Sequence, residues 1–228
     1  MPSAYAARVG RSITGWSVTA APAPVLLLAL ALALSAACGG GQPVRRAQVD
    51  PATAALLARA RGEERARRYD RARALYERAA RDAPDRVSAA RAWRELARAL
   101  LFWREIGDAE EALRRAVVAD PSEVSAWHDL GIVRGWRGDA AGAERALRRA
   151  IALAPREPRP RVALAAILVN QRRWPEALGE YRALEKLELP ERTRRAVVQA
   201  IALIEATRRG TRPPSPPSRP APRSRPAP

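Results

Sequence analysis

The chain has 228 residues, of which 41 are Lys or Arg and 24 are Asp or Glu, giving a formal net charge of +17. A single Cys excludes an intramolecular disulfide framework and a multi-cysteine metal site, and a single His excludes a multi-histidine metal centre. The hydrophobic content of 47% permits a core, but only 5% of the residues are aromatic. This Ala- and Arg-rich composition favours a helical protein, because both residue types have high helix propensity.

The N-terminal segment has the organisation of a secretory signal peptide. Arg8 and Arg11 precede an uncharged apolar run over residues 25–34, and small residues follow that run. The run is too short for a membrane-spanning helix, which needs about 20 apolar residues. The pattern predicts that residues 1–37 are an export signal.

The only Cys of the chain, Cys38, directly follows this segment. Leu34-Ser-Ala-Ala-Cys38 resembles the lipobox of bacterial lipoproteins, in which the Cys receives a diacylglycerol, the peptide is cut before it and the new amino group is acylated. Ser35 departs from the family pattern, which prefers Leu. The resemblance implies lipid attachment at Cys38, a flexible linker over 38–51, and the outer membrane facing the periplasm, since Gly39 replaces the Asp of inner-membrane lipoproteins. An ordinary cleavable signal with a chance Cys is the alternative.

Four helical stretches, each followed by a proline, recur through the middle of the chain. Pro84, Pro121, Pro155 and Pro190 lie 37, 34 and 35 residues apart. In each stretch a small residue is followed by Tyr or Leu four positions later and by Ala or Leu seven positions later, which places all three on one helical face.

The third stretch and the helix before it resemble a tetratricopeptide repeat, whose period is about 34 residues. The matching residues are Trp127, Leu130, Gly131, Gly138, Ala143, Leu147, Ala150 and Pro155. The resemblance implies an all-α solenoid over 52–209, made of about four helix-turn-helix units and a C-terminal capping helix. The units are 53–86, 87–123, 124–157 and 158–191, and the cap is 192–209.

Two further features complete this organisation. The second unit is three residues longer than the third, and Gly107-Asp108 predicts an inter-helix turn displaced toward Pro121. Residues 210–228 hold eight Pro and four Arg and have no apolar residue larger than Ala, so we expect a disordered tail with polyproline II character.

In tetratricopeptide repeat proteins, one face of the first helix in each unit lines a concave groove. Carried over by spacing, this implies the following groove residues: Arg61, Arg65, Arg91, Arg94, Arg98, Phe102, His128, Ile132 and Trp136. We expect a protein or peptide segment with acidic groups, because Arg binds carboxylates in a bidentate fashion and the aromatic rings can cover apolar side chains. The alternative is that these Arg pair with Glu95 and Glu64 on a solvated face.

The sequence shows no Gly-rich phosphate loop, metal motif or nucleophile elbow, and it predicts neither a cofactor nor enzyme activity. His128 and Asp129 are adjacent, so we expect their side chains to diverge and to form no catalytic dyad. The resemblances together imply a lipid-anchored adaptor or scaffold in the bacterial cell envelope. An exported protein that binds anionic envelope polymers or nucleic acid through its Arg is a second interpretation, although charges of both signs are mixed in 42–209. An envelope enzyme is a third, opposed by the missing motifs.

Overall fold

The computed structural model describes residues 48–209, which form nine α-helices and no strand. The prediction of an all-α fold is confirmed. The helices are α1 (Pro51–Arg65), α2 (Tyr69–Arg81), α3 (Arg86–Phe102), α4 (Ile106–Ala119), α5 (Val124–Trp136), α6 (Ala140–Leu153), α7 (Pro158–Asn170), α8 (Trp174–Glu185) and α9 (Glu191–Arg209). No helix in this part of the chain is both long enough and apolar enough to cross a bilayer.

Each helix packs against the helix that precedes it and the helix that follows it, so α1 to α8 form four antiparallel pairs stacked in chain order. The additional contacts run between the first helices of neighbouring pairs, from α1 to α3 and from α5 to α7. A structure in which each unit contacts only its neighbours is a solenoid, as predicted.

Ala and Leu build most of the core between the helices. The larger side chains that are fully buried include Tyr76, Leu113, Leu147 and Tyr181. Ala at the crossings allows close approach of the helices, and the Leu and Tyr side chains fill the space between units. Because the buried set extends from α1 through α9, the core is distributed along the whole stack rather than gathered at one centre.

The turn inside each helix pair contains a residue with positive φ. These residues are Arg67 (58°), Arg104 (66°), Gly138 (85°) and Arg172 (59°). They precede the four recurring prolines by 17, 17, 17 and 18 residues, so the turns follow the same register as the prolines.

The predicted displacement of the turn in the second unit is wrong. The chain turns at residues 103–105, and Gly107 and Asp108 lie in the first turn of α4. The additional residues instead lengthen α3, which has 17 residues where α5 and α7 have 13. A Gly-Asp pair is tolerated there because the negative charge of Asp108 interacts favourably with the positive N-terminal end of the helix dipole.

The added turn of α3 binds the start of α1. Ser88 Oγ donates to Asp85 Oδ2 (2.6 Å) and accepts a hydrogen bond from the backbone N–H of Asp50 (2.9 Å). Asp50 itself caps α1 by accepting from the backbone N–H of Thr53 (2.9 Å). These bonds join the N-terminal caps of two helices, and the side-chain and backbone bonds from Ser88 lower the pKa of Asp85.

Helix α9 covers the last pair. Val197, Ala200 and Ile204 are buried, and α9 packs on α8. The five terminal Arg of this helix are exposed: Arg192, Arg194, Arg195, Arg208 and Arg209. An apolar inner face and a charged outer face are the features of a helix that ends a solenoid.

Candidate peptide-binding groove

The first helices of the four pairs form the inner face of the stack. Across units, α1 contacts α3 and α5 contacts α7, whereas no second helix in the described range makes a comparable contact with another second helix. Helices on the inner side of a curved stack lie closer together than those on the outer side. The groove is therefore lined by α1, α3, α5 and α7.

The positive-φ residues give these four helices a common register. Counting back from them, equivalent positions form three rows along the inner helices: Leu57, Arg94, His128 and Val162; Arg61, Arg98, Ile132 and Ala166; Arg65, Phe102, Trp136 and Asn170. Leu57, Val162 and Ala166 are buried in the core, and the other residues reach the surface of the groove. Every groove residue implied by the repeat pattern except Arg91 falls in one of these rows. We call this surface the inner face.

Glu95 is the centre of a charged cluster on α3. Its side chain is only 7% exposed, and one of its oxygens accepts a hydrogen bond from Arg98 Nη2 at 2.7 Å. Arg91 Nε lies 3.3 Å from the other oxygen, and Arg61 Nη1 approaches from α1 at 3.8 Å. Three guanidinium groups therefore share one carboxylate, and the cluster keeps two net positive charges.

The expected pairing of these Arg with Glu95 is present, but the second expected acid has a different partner. Glu64 accepts a hydrogen bond from the Tyr76 hydroxyl at 2.9 Å, and no ion pair to Glu64 is found in residues 48–209. Burial and then this bond raise the pKa of Tyr76. Glu64 thus orients a core tyrosine and leaves Arg61 and Arg65 to the groove.

Arg94 belongs to a separate group of charges between α3 and α5. Its Nη1 lies 3.7 Å from Glu123 Oε1 and 4.0 Å from Asp129 Oδ2, and its side chain is largely buried. The sequence signal for this pairing is weak, because Glu123 and Asp129 lie 29 and 35 residues after Arg94 in the chain. Arg94 is consequently less available to a ligand than Arg98.

The expectation that His128 and Asp129 diverge is wrong. His128 Nδ1 lies 3.1 Å from Asp129 Oδ1, because the side chains bend toward each other on the surface of α5. His128 Nε2 is buried, and no hydrogen-bond partner is recorded for it among the described residues. The contact with Asp129 holds the imidazole in place. Nucleophilic catalysis would need a hydroxyl or thiol hydrogen-bonded to the imidazole, and no such bond to His128 occurs within residues 48–209.

Apolar groups extend from the same face. Phe102 is 73% exposed and Trp136 is 52% exposed, and they occupy equivalent positions at the ends of α3 and α5. Ile132, one turn before Trp136, is half-buried against the core. Arg65, the equivalent of Phe102 in the first unit, is exposed and donates from Nε to the carbonyl of Arg61. The inner face thus combines guanidinium groups with two exposed aromatic rings.

No group of three or more His, Cys, Asp and Glu suited to a metal ion occurs within residues 48–209. The predicted export signal, Cys38 and the Pro- and Arg-rich tail lie outside the described residues.

Comparison with known structures gives a consistent fold. A MamA protein superposes with a TM-score of 0.58 at 20% identity, covering 69% of this chain and 82% of that one. YrrB, described as a TPR protein with an unusual peptide-binding site, has a TM-score of 0.53 at 18% identity and covers 68% and 76%. PilF of Pseudomonas aeruginosa has a TM-score of 0.56 at 18% identity and covers 70% of each chain.

Comparison with curated protein sequences gives no match. The tetratricopeptide repeat family, however, matches residues 65–131 and again residues 128–188. Together these matches cover more than half of the chain. They include every helix of the four pairs except α1, of which they reach only the last residue. The chain belongs to the tetratricopeptide repeat (TPR) family.

Proposed function

We propose that this protein is a lipid-anchored adaptor of the bacterial cell envelope that holds an acidic segment of a protein partner on its inner face. The TPR repeats support the general role of a protein-protein interaction module. The specific ligand chemistry is supported by one observation, the convergence of Arg61, Arg91 and Arg98 on Glu95 beside exposed aromatic rings.

Glu95 prepares these arginines for a ligand. One carboxylate accepts only part of the hydrogen bonds that three guanidinium groups can donate, since each guanidinium carries five N–H donors. Arg61 and Arg98 remain about half exposed or more. A ligand carboxylate would therefore meet donors whose orientation is already restricted, which lowers the entropy cost of binding.

Phe102 and Trp136 give the ligand a second requirement. An acidic segment that also carries apolar side chains would cover these rings while its carboxylates bind Arg98 and Arg61. Aromatic and Arg side chains are the residue types that contribute most at protein interfaces. YrrB, a TPR protein with a peptide-binding site, offers a precedent for a peptide bound on this fold.

The groove proposal is tested with a fluorescein-labelled peptide of Glu, Asp and Leu and a matched peptide of Gln, Asn and Leu. We expect the acidic peptide to bind more tightly in fluorescence anisotropy. The double variant Arg61→Gln/Arg98→Gln should weaken its binding at least tenfold, or about 1.4 kcal/mol.

The matched control is Arg145→Gln/Arg149→Gln on α6. Both residues are exposed, and neither forms an ion pair within residues 48–209. This control removes the same two positive charges as the groove variant but leaves the inner face intact. If both double variants lost affinity equally, the peptide would be responding to total charge, and the groove proposal would be wrong.

The anchor is proposed on the lipobox resemblance around Cys38. Two or more acyl chains are needed because each buried CH₂ contributes only about 0.8 kcal/mol. Cys38→Ala should abolish palmitate incorporation and shift the protein out of the membrane fraction, whereas Ser35→Ala should leave both unchanged. A Cys38→Ala protein that remained labelled and membrane-bound would contradict lipid attachment at this residue.

A further inference from the structure

The two edges of the solenoid carry opposite charge. One edge consists of the turns inside the four helix pairs, residues 66–68, 103–105, 137–139 and 171–173. These turns contain six Arg and two acids, and we call them the arginine edge. The opposite edge consists of the connections between helix pairs and from α8 to α9. The sequence alone mixes these charges, and the helix bounds separate them.

The connections at the opposite edge are residues 82–85, 120–123, 154–157 and 186–190. They contain six acids and two bases, which mirrors the composition of the arginine edge. The formal charge is therefore +4 in the turns of one edge and −4 in the connections of the other. A negatively charged surface would attract the arginine edge and repel the opposite one.

Three arginines at the arginine edge occupy a backbone conformation that favours glycine. Arg67, Arg104 and Arg172 have φ near +60°, are exposed, and form no ion pair within residues 48–209. The third unit has Gly138 at the same position. A side chain in this region is strained, and strained residues cluster where the side chain has a function. A guanidinium group therefore stands at the tip of three of the four turns.

The acids at this edge are mostly engaged with the protein itself. Glu105 pairs with Arg73 at 2.9 Å, Glu63 binds Arg68, and Asp139 caps α6 through the N–H of Gly142. Asp70, in the first turn of α2, is exposed and forms no ion pair with any residue in the described part of the chain. The free charge that the edge presents is consequently positive.

Apolar side chains flank the same turns. Of the five large apolar side chains that are exposed in residues 48–209, three lie next to this edge: Phe102, Ile106 and Trp136. Phe102 and Ile106 bracket the second turn, and Trp136 precedes the third. The arginine edge therefore presents aromatic and aliphatic groups together with unpaired guanidinium groups.

We propose that the arginine edge lies against an anionic phospholipid surface. The guanidinium groups would bind headgroup phosphates. The aromatic rings, when no peptide covers them, would enter the interfacial layer, where Trp side chains are favoured. The unpaired charges occur in the first, second and fourth units and the exposed rings in the second and third. A lipid surface offers both phosphate and apolar depth at every one of these turns.

The proposed anchor can reach this edge, and this step alone depends on the proposed function. Asp50 lies at the opposite edge, at the start of α1. This helix has 15 residues and is therefore about 22 Å long. The 12 residues from Cys38 to Asp50 span at most about 40 Å when fully extended. A lipid at Cys38 therefore permits either edge to face the bilayer, and the charge of the edges selects between them.

The test reports orientation rather than attachment. In the full chain carrying Cys38→Ser, a single cysteine is introduced at the arginine edge (Gln171→Cys) or at the opposite edge (Ser122→Cys) and labelled with an environment-sensitive fluorophore. Both residues are exposed. We expect vesicles of phosphatidylglycerol and phosphatidylethanolamine to shift the emission of the label at position 171 to the blue, and to leave the label at position 122 unchanged. Phosphatidylcholine vesicles should give a smaller shift, and added salt should reverse the difference.

Matched variants identify the residues responsible. Arg67→Gln/Arg104→Gln/Arg172→Gln should weaken the vesicle-dependent shift at position 171 at least tenfold in lipid concentration. Arg145→Gln/Arg149→Gln/Arg192→Gln changes the net charge equally and should leave it intact. Residues 1–47 are the same in all variants, so any attachment through them is constant.

Equal shifts at positions 171 and 122, or equal losses in the two triple variants, would overturn the proposal. Vesicles that shift neither label would also overturn it, whether or not the Glu/Asp/Leu peptide shifts the label at position 171. Failure of lipidation at Cys38 would not change these outcomes, because the chain used lacks that cysteine.

Discussion

Gly131 shows how closely the helices of one pair approach. A Cβ added at this position would lie 2.6 Å from Leu147 Cγ and 3.2 Å from the carbonyl oxygen of Ala143. Leu147 is fully buried and the second contact is with backbone, so neither neighbour can move freely. The glycine of the TPR pattern is thus required by the distance between α5 and α6.

Gly131→Ala should destabilise the protein by about 1–3 kcal/mol, the usual cost of overpacking a core. The control is Gly179→Ala in α8, where an added Cβ meets nothing within 4 Å. There the higher helix propensity of Ala should stabilise the protein by about 0.5–1 kcal/mol. Urea denaturation followed by circular dichroism measures both, and a Gly131→Ala protein as stable as the Gly179→Ala protein would refute the close approach.

For single residues, the sequence predicted the packing residues better than the polar contacts. Trp127, Leu130 and Gly131 are recognisable because the repeat fixes their spacing. The contact of His128 with Asp129 was not predictable from helix geometry, since it depends on the side-chain rotamers of neighbouring residues. The pairing of Arg94 with Glu123 joins residues 29 positions apart and depends on how the chain folds back on itself.

The helix pairs are joined by ion pairs at one repeated position. Arg73, Glu110 and Glu144 each lie six residues after the positive-φ residue of their unit, and each contacts the next unit. Arg73 Nη2 binds Asp108 Oδ2 at 2.7 Å, Glu110 binds Arg134 and Arg137, and Glu144 binds Arg173 at 2.6 Å. At the first junction the Arg belongs to the earlier of the two units. At the second and third junctions the Arg belongs to the later unit. Exchanging the second and third units would place like charges together at the first two junctions, so these pairs favour the observed order of those two units.

The junction of units three and four gives a measurable coupling. Hydrogen bonds from Arg173 and then Arg148 hold the pKa of Glu144 below its usual value, which indicates a stabilised carboxylate. A double-mutant cycle of Glu144→Gln and Arg173→Gln should give a measurable favourable coupling, because both side chains are partly shielded from solvent. The more exposed Arg182–Glu205 pair, at 3.3 Å, should give less. A coupling near zero at the junction would exclude a role for this pair in stacking.

The position of the turns shows what the sequence contained and what was overlooked. Gly107-Asp108 suggested a turn because Gly and Asp commonly occur in turns. The distance of 17 residues from Gly138 to Pro155, applied to Pro121, points instead to Arg104. Periodicity was thus a better guide than composition, but an Arg with positive φ is too uncommon to be inferred without it.

At the scale of the whole molecule, the resemblance of the repeats to the TPR pattern was sufficient to predict the solenoid and its capping helix. The separation of charge between the two edges could not be predicted, because acids and bases alternate along the chain and separate only when the helices are folded back on one another. The charged cluster around Glu95 on the inner face also forms only when the chain folds, since Arg61 and Glu95 come from different units.

A single helix pair of this size cannot bury its own apolar face, so each unit depends on its neighbours. The last pair depends on α9, whose buried Val197 and Ile204 pack beside Tyr181 and Leu184 in one core cluster. Burial of a Val or Ile side chain contributes about 1.5–3 kcal/mol, so the two residues together contribute about 3–6 kcal/mol.

The most direct measurement of this dependence compares two shortened chains, 1–209 and 1–190, with the full chain in urea denaturation. Removal of residues 210–228 should leave the unfolding midpoint unchanged. Further removal of α9 should lower the free energy of unfolding by about 3–6 kcal/mol, because the apolar face of the last pair becomes exposed. If chains 1–209 and 1–190 unfolded at the same urea concentration, the units would be stable independently of their neighbours, contrary to a stacked solenoid.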